Sequence, residues 1–320
     1  MSSFGAETTT DEVLTDVDLS GRRFVITGAS SGLGEESTRA LASKGAHVTM
    51  LARSPEKNEA AAVRVRASVP EADLSFGTVD LASFASIRSC AEDLLSREKA
   101  IDVLMNNAGV MACPEGRTAD GFEMQFGTNH LGHFLLTALL KPLVMAGDSP
   151  RIVNLSSAGH SASDVNLDDI NFETSPYDPW ESYGRAKTAN ALFSRGIAQR
   201  FADAGLVSNS VHPGGIVTEL GRHLTDDLIK QMMDRQAARA AEEPGTDFKF
   251  KSVEAGAATQ VWAAIASKPA ENNGAYLADC QVGVEGGHLS ATGFMSYLLD
   301  DANTERLWTV SEELTGQTFE

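Results

Sequence analysis

Tyr183 and Lys187 stand four residues apart in the segment Tyr183-Gly-Arg-Ala-Lys187. At that spacing, the two side chains lie on one face of a helix. A free phenol has a pKa near ~10, which is too high for a base at neutral pH. A neighbouring ammonium favours the phenolate, so such a tyrosine can take a proton from an alcohol or give one to a carbonyl. Taken alone, the pair is equally well explained as a tyrosine at a helix edge beside a solvated lysine.

A glycine-rich turn follows the first apolar segment of the chain, residues 23–27, and precedes a helical pattern. Glycines let a phosphate approach the backbone, and the N-terminus of a helix offers free N–H groups to it. A turn in this context is typical of dinucleotide-binding sites, although an ordinary glycine-rich turn stays the alternative. The residues expected to bind the cofactor here are Gly28, Ser30, Ser31, Gly32, Leu33 and Gly34.

Short apolar segments alternate with segments of helical periodicity along the rest of the chain. Near-continuous apolar strands predict a parallel sheet that is covered by helices on both faces. The expected fold is therefore a single α/β domain with a Rossmann-like, doubly wound parallel sheet of about seven strands. We predict strands near 23–27, 47–51, 74–79, 102–105, 151–155, 206–211 and 274–277, and helices near 35–44, 56–67, 83–96, 121–143, 183–201, 226–241 and 253–267.

Three segments do not follow this alternation. Residues 1–19 are polar and acidic, and we expect them to form a flexible N-terminal tail before one domain over 20–320. Residues 161–180 are rich in Asp, Asn and Pro. Residues 219–251 are charged and carry a helix-like segment that ends near Glu243-Pro244-Gly245, so we interpret them as a lid over the substrate.

The composition excludes several classes of function. The 320 residues carry a formal net charge of −18, which disfavours nucleic acids and anionic lipids as partners. Three widely spaced cysteines and seven histidines without metal-ligand spacing predict neither disulfides nor a metal site. The N-terminus lacks the features of a signal peptide, and no apolar stretch is long enough to span a bilayer. We therefore expect a cytoplasmic protein without a membrane anchor.

Seven segments, in the same order along the chain, resemble motifs of the short-chain dehydrogenase/reductase superfamily. The glycine-rich turn has the family's Thr-Gly-x-x-x-Gly-x-Gly spacing. Each match alone could be chance, but their shared order at predicted strand ends and on predicted helices makes the resemblance specific. The other matching segments are Asp80-Leu81, Asn106-Asn-Ala-Gly109, Asn129, Ser156-Ser157, Tyr183-Gly-Arg-Ala-Lys187 and Pro213-Gly-Gly-Ile-Val-Thr218.

This resemblance implies a sheet order of 3-2-1-4-5-6-7 and an oxidoreductase that uses NAD or NADP to interconvert an alcohol and a ketone or aldehyde. It implies Tyr183 as general acid/base, Ser157 as the residue that binds the reacting oxygen, and Asn129 as part of a water relay. Lys187 would hold the nicotinamide ribose. The cofactor-binding residues implied outside the glycine-rich turn are Asp80, Leu81, Asn107, Ala108, Gly109, Tyr183, Lys187, Pro213, Gly214, Ile216 and Thr218.

The end of the second strand bears on the choice of cofactor. An acidic residue there would bind the ribose 2′-hydroxyl of NAD and repel the 2′-phosphate of NADP. The strand ends with Ala52 in that place, and Arg53, whose guanidinium suits a phosphate, follows it. We therefore favour NADP(H), with Arg53 as a further cofactor-binding residue, and keep NAD(H) as the alternative, because NAD enzymes can also carry a surface arginine at this position.

Residues 107–114, 118–137, 274–280 and 306–314 resemble the retinol dehydrogenase branch of the family more closely, although we do not expect the membrane anchor that many animal members carry. Segments 161–180 and 285–299 do not match that branch, so its substrate is not implied and a hydrophobic alcohol or carbonyl compound is the expectation. A homodimer or homotetramer is implied, with helices 121–143 and 183–201 as contact faces. The alternatives are a catalytically silent cofactor-binding protein of the same fold and a light-driven or epimerising relative.

Overall fold

The computed structural model describes residues 4–242, 249–286 and 292–319, and its centre is a parallel sheet. The strands of this sheet are β1 (Arg23–Thr27), β2 (His47–Ala52), β3 (Asp73–Thr78), β4 (Val103–Asn106), β5 (Arg151–Leu155), β6 (Val207–His212), β7 (Tyr276–Ala278) and β8 (Gln281–Val282). They lie in the order β3-β2-β1-β4-β5-β6-β7-β8, which confirms the predicted Rossmann-like order of the first seven. The eighth strand was not predicted. It pairs antiparallel with β7 and is too short for its sequence to show a periodicity.

Helices cover both faces of the sheet. They are α1 (Thr10–Val13), α2 (Gly32–Ala42), α3 (Pro55–Ser68), α4 (Phe84–Arg97), α5 (Met124–Phe126), α6 (Gly132–Met145), α7 (Pro179–Phe201), α8 (Asp226–Glu242), α9 (Val253–Ile265), α10 (Ser267–Glu271) and α11 (Asp301–Thr315). The single helix predicted over 121–143 is instead divided into α5 and α6 by a π-helical turn, Gly127–Leu131. Two short strands, β9 (Val284–Glu285) and β10 (Gly293–Phe294), pair apart from the main sheet.

Alternate residues of each central strand face opposite sides of the sheet, as the geometry of a strand requires. In β1, Phe24 and Ile26 join the core beneath α2, α3 and α9, whereas Val25 joins the core beneath α4 and α6. The strand β1 is therefore apolar on both faces, and this accounts for its continuous apolar run in the sequence.

The segment before β1 is folded onto the domain, so the prediction of a flexible tail is wrong for residues 4–19. Thr9 and Glu12 form a reciprocal capping box at the start of α1. The Thr10 hydroxyl donates to the buried carboxylate of Glu36 on α2. Leu14 has no exposed surface and belongs to the main core, because this segment supplies part of the apolar cover of α2 and α9.

The C-terminal helix α11, which the sequence analysis did not predict, covers α6 and α7. Trp308 and Phe319 pack edge-on or tilted against Phe134 of α6 and Phe193 of α7, with ring centroids 5.0 to 5.9 Å apart. Seventeen of the 23 residues of α7 are buried within the single chain. The two faces expected to contact another subunit are thus largely occupied by the chain itself.

Candidate active site

A cleft of about 1540 Å³ opens at the carboxyl ends of the parallel strands, where the turns of this fold class carry their binding groups. The cleft is lined by nearly all of the predicted site residues, although they come from distant parts of the sequence. Those residues are Gly28, Ser30, Ser31, Gly32, Leu33, Arg53, Asp80, Leu81, Asn107, Ala108, Gly109, Ser157, Tyr183, Lys187, Pro213, Gly214, Ile216 and Thr218. Of the predicted set, Gly34 and Asn129 do not line it.

The glycine-rich turn leaves backbone room where a phosphate would lie. Gly28 has a φ of +67°, and a Cβ on it would lie 2.9 Å from the Cα of Ala108. Helix α2 begins at Gly32, so its free N–H groups stand at the cleft. Gly34 lies behind this surface, where a Cβ would come within 2.3 Å of the Gly28 carbonyl oxygen. Its role is close packing of helix against turn, and the cradle fits a dinucleotide pyrophosphate.

The segment after β4 is tied to the same turn by hydrogen bonds. The hydroxyl oxygen of Thr27 accepts from the backbone N–H groups of Asn107 at 2.9 Å and Ala108 at 3.0 Å. The Asn107 side chain donates to the Thr27 carbonyl at 2.7 Å. These bonds fix the two neighbouring strand ends in one register, which keeps this wall of the cleft rigid.

The end of the cleft where the adenosine is expected lies at the end of β2. The last residue of this strand, Ala52, is buried, and the next residue, Arg53, is exposed. Among the described residues, no carboxylate lies within ion-pair distance of Arg53. Ser54 and Lys57 line the cleft beside it. The Asp80 carboxylate accepts a hydrogen bond from the Ala82 N–H at 3.0 Å. This bond, within the turn after β3, fixes the orientation of the Asp80 side chain.

Tyr183 and Lys187 lie on the first half of α7, which begins four residues earlier than predicted because Asp178 caps its N-terminus. Both side chains are buried, with 4% and 3% of their surface exposed. The Lys187 ammonium lies 5.5 Å from the centre of the Tyr183 ring and donates to the Leu155 carbonyl at 2.9 Å. The helix therefore places a cation beside the phenol at the floor of the cleft.

Burial acts on the two groups in opposite directions, because it disfavours the charged form of each. It raises the pKa of Tyr183 to about 12, and the adjacent Ser157 hydroxyl partly opposes this shift. It lowers the pKa of Lys187 to about 8. Perturbed titrating groups of this kind in a cleft are typical of a catalytic site.

Ser157 follows β5, caps the start of the turn Ala158–Ala162 and stands beside the Tyr183 phenol. Its hydroxyl oxygen accepts from the Gly159 N–H at 3.0 Å, which orients the side chain. A Cβ on Gly159 would lie 2.7 Å from Cε1 of Tyr183, so the turn Ala158–Ala162 packs directly against the tyrosine ring. Serine and tyrosine are consequently held at one point of the cleft.

Asn129 lies in the π-helical turn and is fully buried. Its side-chain amide bonds both backbone groups of Val110, accepting at 2.8 Å and donating at 2.9 Å. Its carbonyl bonds Nδ1 of His133 at 2.9 Å. Asn129 thus fixes the backbone of Val110, which lines the cleft, from the side away from the cleft. Its part in a water relay stays a prediction.

The segment Pro213-Gly214, which follows β6, is supported by an ion pair that the sequence analysis did not predict. The Lys251 ammonium pairs with the Asp279 carboxylate, and each side chain is only 9% exposed. The Lys251 side chain crosses Gly214, whose φ of +100° and lack of a Cβ make room for it. No local pattern signals this pair, since its members lie 28 residues apart.

An apolar chamber stands next to Tyr183. Trp180 and Ala112 pack on the tyrosine, and Met111, Leu224, Leu228 and Met232 pack on this group. Leu224, Leu228 and Met232 belong to the predicted lid, 219–251, of which residues 243–248 lie outside the described part of the chain. Trp180 and Met111 were missed, because their neighbours in sequence are not apolar at a helical spacing.

The cysteines at positions 90, 113 and 280 are buried and free. Within residues 4–242, 249–286 and 292–319, no group of three or more His, Cys, Asp or Glu side chains could hold a metal ion. In the same ranges, no helix has the length and apolar character needed to cross a membrane.

Comparison with known proteins relates the chain to short-chain dehydrogenases, in agreement with the dinucleotide cradle described above. A family model described as short chain dehydrogenase matches residues 22–229. The short-chain dehydrogenase/reductase prx1 of Penicillium roqueforti is 38% identical over 317 residues, which covers 96% of this chain and 89% of that protein. Human retinol dehydrogenase 12 is 36% identical over 306 residues, covering 96% and 90%.

Solved structures are similar over nearly the whole chain. The crystal structure of an uncharacterized protein from Mycobacterium Paratuberculosis superposes with a TM-score of 0.71 at 32% identity, covering 95% of this chain and 96% of that one. The NADP active-site complex of RhlG from Pseudomonas aeruginosa superposes with a TM-score of 0.61 at 25% identity, covering 81% and 95%.

Proposed function

We propose an activity for this chain, which belongs to the short-chain dehydrogenase family, is retinol dehydrogenase-like and is an NAD(P)-dependent oxidoreductase. It interconverts a hydrophobic alcohol with its ketone or aldehyde, with Tyr183 as general acid/base. The observation that carries this proposal is the buried Tyr183–Lys187 pair beside Ser157 at the floor of the cleft.

The nicotinamide cofactor would supply the hydride chemistry. The residues of this chain would do the rest: the glycine-rich turn and the N-terminus of α2 hold the pyrophosphate, and the Pro213–Thr218 segment, braced by Lys251, holds the nicotinamide end. Lys187 would bind the ribose with the N–H groups that its bond to Leu155 leaves free.

In the direction of reduction, Tyr183 gives its phenolic proton to the substrate oxygen as negative charge develops there. Ser157 donates a hydrogen bond to the same oxygen and stabilises that charge. In the direction of oxidation the tyrosine takes the alcohol proton. The Lys187 cation favours the phenolate that this step needs, because opposite charges attract strongly in a buried site.

We propose NADP(H) as the preferred cofactor, with NAD(H) as the alternative. Two observations support it: no acidic residue stands at the end of β2, and Arg53 and Lys57 line the adenosine end without a carboxylate partner among the described residues. A guanidinium and an ammonium there favour a 2′-phosphate.

The apolar chamber supports a hydrophobic substrate. Trp180, Met111, Leu224 and Met232 all line the cleft on the side of Tyr183. Such side chains bind an apolar body and leave the reacting oxygen to Ser157 and Tyr183.

The test is a panel of primary and secondary alcohols, aldehydes and ketones of rising chain length. Each is followed at the nicotinamide absorbance with NADP(H) and with NAD(H). We expect turnover that improves with apolar length, because each buried CH₂ contributes about 0.8 kcal/mol. Binding of the cofactor without turnover of any panel member would instead support the catalytically silent alternative.

A further inference from the structure

His160 is a buried histidine next to the catalytic cluster that the proposed mechanism does not use. It lies three residues after Ser157, in the turn Ala158–Ala162, and only 1% of its surface is exposed. Its Nδ1 lies 2.6 Å from the Ser157 carbonyl oxygen, and its Nε2 lies 3.1 Å from the backbone N of Met295.

These two contacts determine the tautomer of the ring. A backbone N–H can only donate, so Nε2 of His160 accepts from Met295 and carries no proton. The proton is therefore on Nδ1, which donates to the Ser157 carbonyl. The neutral imidazole thus joins the backbone of Ser157 to the backbone of Met295 through a chain of two directed hydrogen bonds.

The far side of His160 is formed by the C-terminal part of the chain. Met295 follows β10 directly, and the Tyr297 hydroxyl donates to the His160 carbonyl at 2.5 Å. The ring of Tyr276 on β7 meets the imidazole edge to face, with 5.1 Å between the centroids. Segment 285–299, which did not match the retinol dehydrogenases, accordingly reaches the catalytic serine through His160; its residues 287–291 lie outside the described ranges.

On the side that faces α7, the turn Ala158–Ala162 is held closely by its contacts. Gly159 packs on the Tyr183 ring, and the Thr188 hydroxyl on α7 donates to the Ser163 carbonyl at 2.8 Å. The Ser157 hydroxyl in turn takes its orientation from the Gly159 N–H. A displacement of His160 would therefore move both the backbone and the hydroxyl of Ser157 relative to Tyr183.

We propose that His160 is a positioning residue that transmits the geometry of the segment Gly293–Leu299 to Ser157. The inference rests on the proposed function, because it gives Ser157 the task of binding the reacting oxygen. Interactions of this kind act on the transition state, where a small misplacement of a hydrogen-bond donor lowers the rate more than it weakens binding.

The sharpest test removes one N–H and nothing else. Met295 has a φ of −75°, which a proline adopts without strain, and the preceding residue is in an extended strand. Met295→Pro therefore deletes the donor to Nε2 while the fold can stay the same. We expect kcat to fall about tenfold, the equivalent of one net hydrogen bond, with unchanged cofactor affinity and little change in substrate KM. Met295→Ala keeps the N–H and is the matched control, expected within about twofold of wild type.

A second pair of variants tests the ring itself. His160→Leu removes both bonds and should lower kcat about a hundredfold. His160→Asn can place an amide N–H near the position of Nδ1, so it should recover at least about a tenth of the wild-type kcat. Cofactor affinity, measured by fluorescence quenching, should be the same in both variants.

Three results would overturn the inference. Wild-type kcat in Met295→Pro and His160→Leu would show that the link does not matter to catalysis. Parallel losses of cofactor affinity, melting temperature and kcat would indicate a purely structural role. If these variants behave like wild type while the wild-type protein turns over the panel, only this inference fails; if the wild type shows no turnover, the proposed function fails and takes the inference with it.

Discussion

The floor of the cleft and its lid differ in how firmly the chain holds them. On the floor, Tyr183 and Lys187 are nearly inaccessible, and Lys187 is fixed by the Leu155 carbonyl. On the lid, Ile229 is 41% exposed and Met233 is 48% exposed, and Lys230 pairs with Asp234 one turn later. The floor is built into the core, whereas α8 packs on it by a few apolar side chains.

This difference separates the two parts of the proposed function. A rigid, buried floor can hold a proton donor and a hydrogen-bond donor in one geometry, which is what the reaction requires. A lid with few buried contacts can vary and move, which is what acceptance of a particular substrate requires. Changes on the floor should therefore alter kcat, and changes on the lid should alter the substrate KM.

Apart from the change of Tyr183 itself, the largest effect in this comparison is expected from Ser157→Ala. Loss of one hydrogen bond to the developing oxyanion should lower kcat by roughly 10²–10³-fold, while cofactor affinity stays the same. Steady-state kinetics with the best panel substrate measure it. Ser161→Ala, a hydroxyl in the same cleft, is the control and should cost less than about tenfold. Equal losses in both variants would contradict a special role for Ser157.

The adenosine end of the cleft, apart from the floor and the lid, is tested by Arg53→Ala. Removal of the guanidinium should raise the KM for NADP(H) by roughly 10- to 100-fold, since hydrogen bonds between charged groups contribute about 1.5–3 kcal/mol. The KM for NAD(H) should change by less than about twofold, because NAD lacks the 2′-phosphate. Arg66→Ala, an exposed arginine of α3 outside the cleft, should change neither. An unchanged KM for NADP(H) in Arg53→Ala would refute the proposed preference.

A rise in pH should lower the rate of carbonyl reduction through the floor residues of the wild-type protein. Burial lowers the pKa of Lys187 to about 8 and raises that of Tyr183 to about 12. As the pH rises through 8, Lys187 loses its charge while Tyr183 keeps its proton. Without the neighbouring cation the phenol is a weaker proton donor, so the rate of carbonyl reduction at saturating cofactor should be level below about pH 7 and fall to about a tenth by pH 9. A constant rate across this range, with the protein folded by circular dichroism, would contradict the role of the lysine cation.

The smallest effect is expected on the lid. Met232 lines the cleft and packs on the group around Tyr183, whereas its neighbour Met233 points to solvent. Met232→Ala should raise the KM of a long apolar substrate about fivefold through lost apolar contact, with kcat and cofactor KM nearly unchanged. Met233→Ala should have no effect. A large loss of kcat in Met232→Ala would show that floor and lid are not separate.

The same division explains how much could be predicted from the sequence. Residues with local reasons for their positions were predicted: β1 and β5 have the predicted bounds, and Gly28 and Tyr183 lie where their motifs indicate. Features that depend on distant contacts were not. The fold of residues 4–19 depends on Glu36, and the brace on Gly214 depends on the Lys251–Asp279 pair.

Helix α11 shows the same limitation on a larger scale. The sequence pattern does not predict this helix, because its apolar face, formed by Leu307 and Trp308, is narrow. Residues 306–314 entered the sequence analysis only through their resemblance to the retinol dehydrogenase branch. What stabilises it is the aromatic cluster with α6 and α7, which exists only in the folded chain. The predicted subunit contacts fall partly on the same surface, since α11 packs along α7, and the oligomeric state stays a prediction.

The most direct test of the proposed chemistry is a single-turnover measurement on Tyr183→Phe. The phenylalanine keeps the ring that packs against Trp180 and Gly159 and removes only the hydroxyl. With cofactor bound and the best panel substrate added, the nicotinamide absorbance of the wild type should change in one rapid phase. In the variant the rate of that phase should be lower by roughly 10²–10⁴-fold, with cofactor affinity within about twofold of wild type. Hydride transfer at the wild-type rate in Tyr183→Phe would contradict the assignment of Tyr183 as the general acid/base.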